Sequence, residues 1–355
     1  MTIRTDGLKN LSNQPTADAI DPTAESRKKD HIELAFQSQV AEQLLDGRFY
    51  YEPILTGHPE EGSLPTTHLL GKTFEAPLWV SSMTGGTQLA RTINFNLARA
   101  CKDFGLGMGL GSCRALLYSD EYFDDFDVRP LIGNDQPLYA NLGIAQVEEL
   151  VVAKQYDKLR KLIGDLRADG LIIHVNPLQE WLQPEGDRYR LAPLETIEAV
   201  LEHSDFKVIV KEVGQGMGKA SLKALLQLPL EAIDFAANGG TNFAKLELLR
   251  STTEKRDLYS SLALVGHSAA EMVDFVNELV VELGPQLVCK QLIISGGIRT
   301  FLDGYYLLQK STLPAVYGQA SGFLKHARGT YEELATYIET QIQGLELAHA
   351  FLKVR

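Results

Sequence analysis

The sequence predicts one large α/β barrel of eight parallel strands, a (β/α)8 TIM barrel with an N-terminal helical extension and a C-terminal helix. Three observations predict it. From residue 77 onward short apolar runs alternate with amphipathic segments, the pattern of repeated βα units around a parallel sheet. Eight such runs occur, and residues 77–328 supply about the 250 residues typical of that fold. The glycine fingerprint that a dinucleotide-binding sheet carries after its first strand is absent.

Residues 1–26 are polar, rich in Asn, Ser, Asp and Pro, and without periodicity, which predicts a disordered arm. In SRKKDHIELAFQSQVAEQLL (26–45), Ser26 stands as an N-cap, and Ile32, Ala35, Phe36, Val40 and Leu44 recur at helical spacing. A helix over 26–45 is expected there, within an extension covering 27–76. The barrel with its C-terminal helix then takes 77–355. Its strands are read at PLWVSS (77–82), LGMGL (106–110), LYANL (138–142), LIIHV (171–175), KVIVKEV (207–213), AIDFA (232–236), QLIIS (291–295) and AVYG (315–318). The connection 237–268 is long for a βα unit, and long βα loops often cover active sites. TYEELATYIETQIQGLELAHAFL (330–352) reads as a final amphipathic helix.

Among 355 residues, 45% are hydrophobic and 23% charged, as in soluble globular proteins with a large core. The formal net charge of −12 argues against a nucleic-acid or anionic-membrane partner. No window approaches about 18 uninterrupted apolar residues, and the N-terminus has no apolar leader core. Cys101, Cys113 and Cys289 are odd in number and widely spaced, so neither a disulfide framework nor a zinc site is expected. A cytoplasmic location follows.

Barrel active sites lie at the C-terminal ends of the strands. There the chain reads MTGG (83–86), GSCR (111–114), NLG (141–143), HVN with QE (174–180), KEVGQG (211–216), NGGT (238–241), SGGIR (295–299) and GQASGF (318–323). A glycine turn after strand seven and a small-residue turn opening a helix after strand eight are what the barrel phosphate site needs. Arg299 adds charge there. Lys211 ends an apolar strand with its ammonium at the barrel mouth; it is either a snorkelling lysine or a cation set beside an anion, such as the ring of a reduced flavin. His174 alternates with apolar neighbours and so points inside, as a satisfied core histidine or a site residue. Glu180 is either a solvated loop carboxylate or one of the one or two carboxylates that Mg²⁺ commonly takes. Cations in RKKD (27–30) oppose the dipole of a helix start unless an anionic ligand is present.

In order, RKKDHI (27–32), MTGG, GSCRALL (111–117), NLG, HVNPLQEWLQPEGDR (174–188), KEVGQGMG (211–218), NGGTNFAKLE (238–247) and SGGIRTFLD (295–303) resemble the motifs of the type 2, FMN-dependent isopentenyl-diphosphate delta-isomerases. The resemblance runs from about residue 27 to 325. It implies an enzyme that interconverts isopentenyl and dimethylallyl diphosphate with reduced FMN as acid and base, Mg²⁺, and NADPH as reductant, assembled as a homo-tetramer or homo-octamer. Carried over, Arg27, Lys28 and His31 grip the diphosphate with Ser112 and Arg114. Met83, Thr84, Gly85, Gly86, Ser112, Asn141 and Lys211 hold FMN, together with Thr241, Gly297, Ile298, Arg299, Ala320 and Ser321. His174, Asn176, Gln179 and Glu247 face the substrate, Gln179 also binding it, and Glu180 ligates the metal. This sequence departs from the family at Ser81–Ser82 and at Ala236, Ala237 and Asn238, where a flavin contact is put in doubt. Another FMN barrel oxidoreductase and a non-catalytic flavin- or phosphate-binding barrel stay open as alternatives.

Overall fold

The computed structural model describes residues 23–82 and 88–355, and the chain divides into two compact units, Met1–Gly47 and Arg48–Arg355. In the first unit a helix spans Ala24–Leu34. It is shorter than the expected 26–45, and its N-cap is Thr23 rather than Ser26, whose hydroxyl instead donates to the Thr23 carbonyl at 3.0 Å. The physical reason is local: beyond Leu34, the Ser38 hydroxyl bonds the Ala35 carbonyl, a side-chain alternative to the helical ladder. Among the described residues this short helix leaves Ile32 and Leu34 exposed, so little opposes that competition.

The second unit is the barrel. Its strands are β1 (Leu78–Val80), β2 (Gly107–Gly109), β3 (Leu138–Gly143), β4 (Gly170–His174), β5 (Lys207–Lys211), β6 (Ala232–Asp234), β7 (Leu292–Ser295) and β8 (Ala315–Gln319). Each pairs in parallel with the next, and β8 pairs with β1, closing the sheet. All eight apolar runs are strands. The apolar patterning explains the layering. Leu171 and Ile173 of β4 join the large core between strands and helices, whereas Ile172, of opposite parity, lies inside the barrel with Trp79, Tyr139, Ile209, Ile293 and Val316. Not every apolar residue of β4 therefore faces the helices.

A hairpin, Thr67–Leu69 with Lys72–Phe74, precedes β1. Its Leu69, Leu70 and Phe74 belong to the inner cluster, so the hairpin plugs one end of the barrel interior. The turn is held from two strands: Gln291 accepts from the Leu70 N–H at 2.7 Å, and Lys207 Nζ donates to the Leu70 carbonyl at 3.3 Å. Phe74→Ala is expected to destabilise the protein by about 3–5 kcal/mol, the usual cost of emptying a filled aromatic site. Urea unfolding of both proteins, compared at equal m, measures it.

The connection after β6 is not an extended loop. It folds into Phe243–Arg250 and Thr253–Tyr259, followed by a 3₁₀ turn at Ser260–Leu264. Asn242 starts the first helix by accepting from the Lys245 N–H at 2.8 Å. Together with Leu182, residues Ala244, Leu248 and Ala263 form a small apolar cluster separate from the main core. The last helix, Tyr331–Phe351, capped by Thr330, buries Leu334, Ile338 and Leu345. Strand Leu352–Val354 then pairs antiparallel with Phe49–Tyr51.

Candidate active site

A cavity of about 360 Å³ opens where β5 to β8 end. Two glycine pairs shape one wall. A Cβ at Gly296 (φ +93°) would sit 2.1 Å from the Ala237 carbonyl, and one at Gly240 would sit 3.1 Å from the Gly297 nitrogen. The turns after β6 and β7 are pressed backbone to backbone, which only residues without side chains allow. Lys211, Thr241, Gly297, Ile298, Arg299, Ala320 and Ser321 line the cavity. Arg299 is exposed, and its backbone N–H is already taken by Asp303 at 3.0 Å. Only its guanidinium is left to offer a ligand. Asp303 also closes the capping box with Thr300 that starts helix Phe301–Lys310.

Ser81, Ser82, Val213, Gly214, Ser295 and Gln319 also line the cavity; the sequence places them in or beside the strand-end motifs without assigning them a ligand. Gln319 is steadied by the Tyr337 hydroxyl, 2.9 Å from its Oε1. Glu212 explains the shape of KEVGQG. Its Oε2 accepts from the N–H groups of Gly214, Gln215 and Gly216 at 2.7, 2.6 and 2.9 Å, folding the turn around one buried carboxylate. A charged residue next to an inward strand position was the available signal for it.

Parity places an entire polar layer beneath this mouth. Lys211 and His174 are register partners on β5 and β4, and Lys211 and Asp234 are partners on β5 and β6. His174 Nδ1 lies 2.9 Å from Asn141 Oδ1, and Asn141 Nδ2 donates to the Leu110 carbonyl at 3.0 Å. Asn141 is thus buried in the floor of the barrel mouth. Ser112 is exposed on the turn after β2. Neither is among the residues lining the cavity. Desolvation first, and the Lys211 charge second, lower the His174 pKa to about 3, so its imidazole is neutral at working pH.

The polar end of β4 is built by Asn176. Strand β4 ends at His174, and Asn176 caps helix Pro177–Leu182, with Pro177 at its first position. Gln179 and Glu180 therefore ride on a helix rather than a loop. The buried Asn176 amide donates to Gln179 Oε1 at 3.1 Å and to Glu180 Oε1 at 2.9 Å. The other Glu180 oxygen accepts the Asp187 N–H at 2.7 Å. With one lone pair of each oxygen used, the carboxylate retains room for a cation. Among the described residues no three His, Cys, Asp or Glu side chains converge as a metal cage, so Glu180 offers a single protein ligand.

Asp187 also binds Arg114 Nη1 at 2.7 Å and Gln146 Nε2 at 2.8 Å. Glu247 is buried on helix Phe243–Arg250 and pairs with Arg250 Nη1 at 2.7 Å, while Arg250 Nη2 reaches Glu185 at 2.9 Å. That guanidinium ties the segment after Gln179 and Glu180 to the helix bearing Glu247. Arg27, Lys28 and His31 lie exposed on helix Ala24–Leu34 in the first unit. Met83, Thr84, Gly85 and Gly86 lie outside the described residues.

No family model matches the chain. Curated relatives do. It is 34% identical over 325 residues to the isopentenyl-diphosphate delta-isomerase of Rickettsia africae (strain ESF-5), covering 90% of this chain and 91% of that protein. The chain belongs to the isopentenyl-diphosphate delta-isomerase family. A second family relative, from Rickettsia akari (strain Hartford), is 32% identical over 326 residues, covering 91% of this chain and 92% of that protein. Among solved structures, a flavocytochrome b2 variant with benzoylformate gives a TM-score of 0.58 at 14% identity, over 86% of this chain and 76% of that one. A mandelate oxidase variant with a monooxide FMN adduct gives 0.52 at 14% identity, over 87% and 88%. These two show that the family member shares its barrel with both.

The His174 environment gives this family member a pH signature. Below the ordinary histidine range the unfolded chain binds a proton that the folded imidazole refuses, so stability falls as pH drops from about 6.5 toward 3. In His174→Gln, which keeps a polar side chain beside Asn141, that part of the acid loss is expected to disappear. Melting temperatures of both proteins between those pH values measure it.

Proposed function

We propose that the chain is the FMN-dependent, type 2 form of the enzyme, interconverting isopentenyl and dimethylallyl diphosphate. One observation carries the reading: a single buried amide, Asn176, holds Gln179 and Glu180 just past the end of β4, whose His174 is the register partner of Lys211, which lines the cavity with the two glycine pairs. Glycine turns that admit backbone contact, an adjacent strand-end helix and a buried lysine suit a phosphorylated, planar, anionic cofactor. The solved relatives in fold include enzymes of the FMN class, in agreement with that choice.

The reaction adds a proton at the terminal alkene carbon and removes one from carbon 2, through tertiary cation character and without net redox. Reduced FMN, when bound, supplies the acid and base and a negative ring beside the cation. The residues of the chain do the rest. Lys211 compensates the negative ring. Gln179, its oxygen fixed by Asn176, keeps its amide N–H groups to orient the alkene. Glu180 would hold Mg²⁺, which would supply positive charge to the diphosphate. His174, neutral, packs against the reacting groups without charging the pocket. Arg114 takes the diphosphate, and Glu247 completes the polar wall. NADPH as reductant, a homo-oligomer and a cytoplasmic location are parts of the same proposal.

The test is anaerobic incubation with isopentenyl diphosphate, FMN, NADPH and Mg²⁺, followed by product analysis. Dimethylallyl diphosphate, formed only when flavin is reduced and Mg²⁺ is present, is the expected result. Bound, reduced flavin without product would leave a non-catalytic binding barrel. Turnover without flavin would end the cofactor assignment.

A further inference from the structure

We propose that Asp234 is a positioning residue that sets the charge felt by the flavin, as the built-in counter-charge of Lys211. Asp234 ends β6, is fully buried, and is the register partner of Lys211 on β5. Its carboxyl accepts one hydrogen bond, on Oδ1, from the Ser295 hydroxyl. The Ser295 oxygen also accepts the Ala236 N–H at 2.9 Å, which leaves its proton available to Asp234. Oδ2 is buried without a hydrogen-bond partner.

A carboxyl with half its acceptor capacity unused is costly in a protein interior unless a neighbouring charge compensates it. Burial is the largest influence and leaves the Asp234 pKa raised; the Lys211 charge and the Ser295 hydroxyl offset part of that rise and favour the ionised form. A purely structural role at this position needs only one acceptor for Ser295, which an amide oxygen supplies equally. The charge is what an amide would not supply.

The layer can be summed by residue. Lys211 contributes one positive charge, Asp234 one negative, and neutral His174 and Asn141 none. The Lys211 ammonium donates to the Glu212 carbonyl at 2.8 Å, which fixes its place but not its net charge. Glu212, the other buried carboxyl that feels Lys211, is held by the Gly214, Gln215 and Gly216 N–H groups and is the same in both cases, so the floor beneath the cavity is one unit more positive without the Asp234 charge than with it. Removing the counter-charge strengthens the attraction between Lys211 and any anion bound above it.

This inference rests on reading the cavity as an FMN site. The experiment compares wild-type protein with the isosteric variant Asp234→Asn. It measures the dissociation constant of oxidised FMN by fluorescence quenching and the midpoint potential of bound FMN by anaerobic dye equilibration. The expected result is a positive shift in midpoint potential, with affinity for reduced relative to oxidised FMN raised by about tenfold or more. Failure of wild-type protein to bind FMN at all overturns the cofactor reading itself. Wild-type binding with an unchanged potential in Asp234→Asn overturns the counter-charge. Where that variant fails to fold, Ser295→Ala replaces it. Loss of the hydroxyl donor favours the neutral carboxyl, so a smaller shift of the same sign is expected, and no shift has the same overturning force.

Discussion

Gln179→Ala is expected to lower kcat by about 10²-fold, the cost of losing one substrate-orienting contact, while KM for isopentenyl diphosphate changes far less. The asymmetry follows from chemistry. Gln179 carries no charge for the diphosphate to feel, and its amide oxygen is already committed to Asn176 at 3.1 Å. What it has left to offer is a pair of N–H donors at the barrel mouth, which count when the alkene is being protonated. Asn176→Ala gives a useful contrast, because it releases both Gln179 and Glu180. That variant should lose turnover and also require more Mg²⁺ for half-maximal rate. Steady-state kinetics at several Mg²⁺ concentrations separate the two. Normal turnover in Gln179→Ala would remove the residue from the mechanism.

Lys211→Met is the second large effect. It keeps length and apolar stem but deletes the cation, and turnover should fall about 10²–10³-fold, as for loss of one preorganised electrostatic group. Binding of reduced FMN should weaken more than binding of oxidised FMN, because only the reduced ring carries the charge that Lys211 meets. The fold should survive. Without Lys211 the neighbouring Asp234 carboxyl is free to take up a proton, so the variant buries no lone charge. Titration with oxidised and with dithionite-reduced FMN, alongside far-UV circular dichroism, reads both statements. Equal weakening of the two forms would show that Lys211 acts on shape and not on charge.

Much of this barrel could be read from the chain because its strands obey two simple periods. All eight apolar runs became strands within a few residues of their predicted bounds, and alternation correctly sent His174 inward. The same rule, applied to AIDFA, would have found Asp234, which interrupts an apolar run just as His174 and Lys211 do. The helix expected over 26–45 stopped at Leu34, since periodicity reports an apolar face and not whether anything buries it. The segment 237–268 folded into helices for the opposite reason. Its Ala244, Leu248 and Ala263 found Leu182 to pack against, a contact between segments more than 60 positions apart.

By itself, then, the sequence determined the barrel, the strand order and the glycine turns that shape the cavity. These depend on local chemistry: alternation, turn residues and caps act between neighbours along the chain. Only the tertiary structure decided how the site is wired. That Asn176 holds both Gln179 and Glu180, that Glu212 gathers three backbone N–H groups, and that Arg250 bridges Glu185 and Glu247 are matters of direction and distance. So is the juxtaposition of Asp234 with Lys211. A buried polar group must find its partner wherever closure of the barrel places one, and closure joins strands that the chain keeps tens of residues apart.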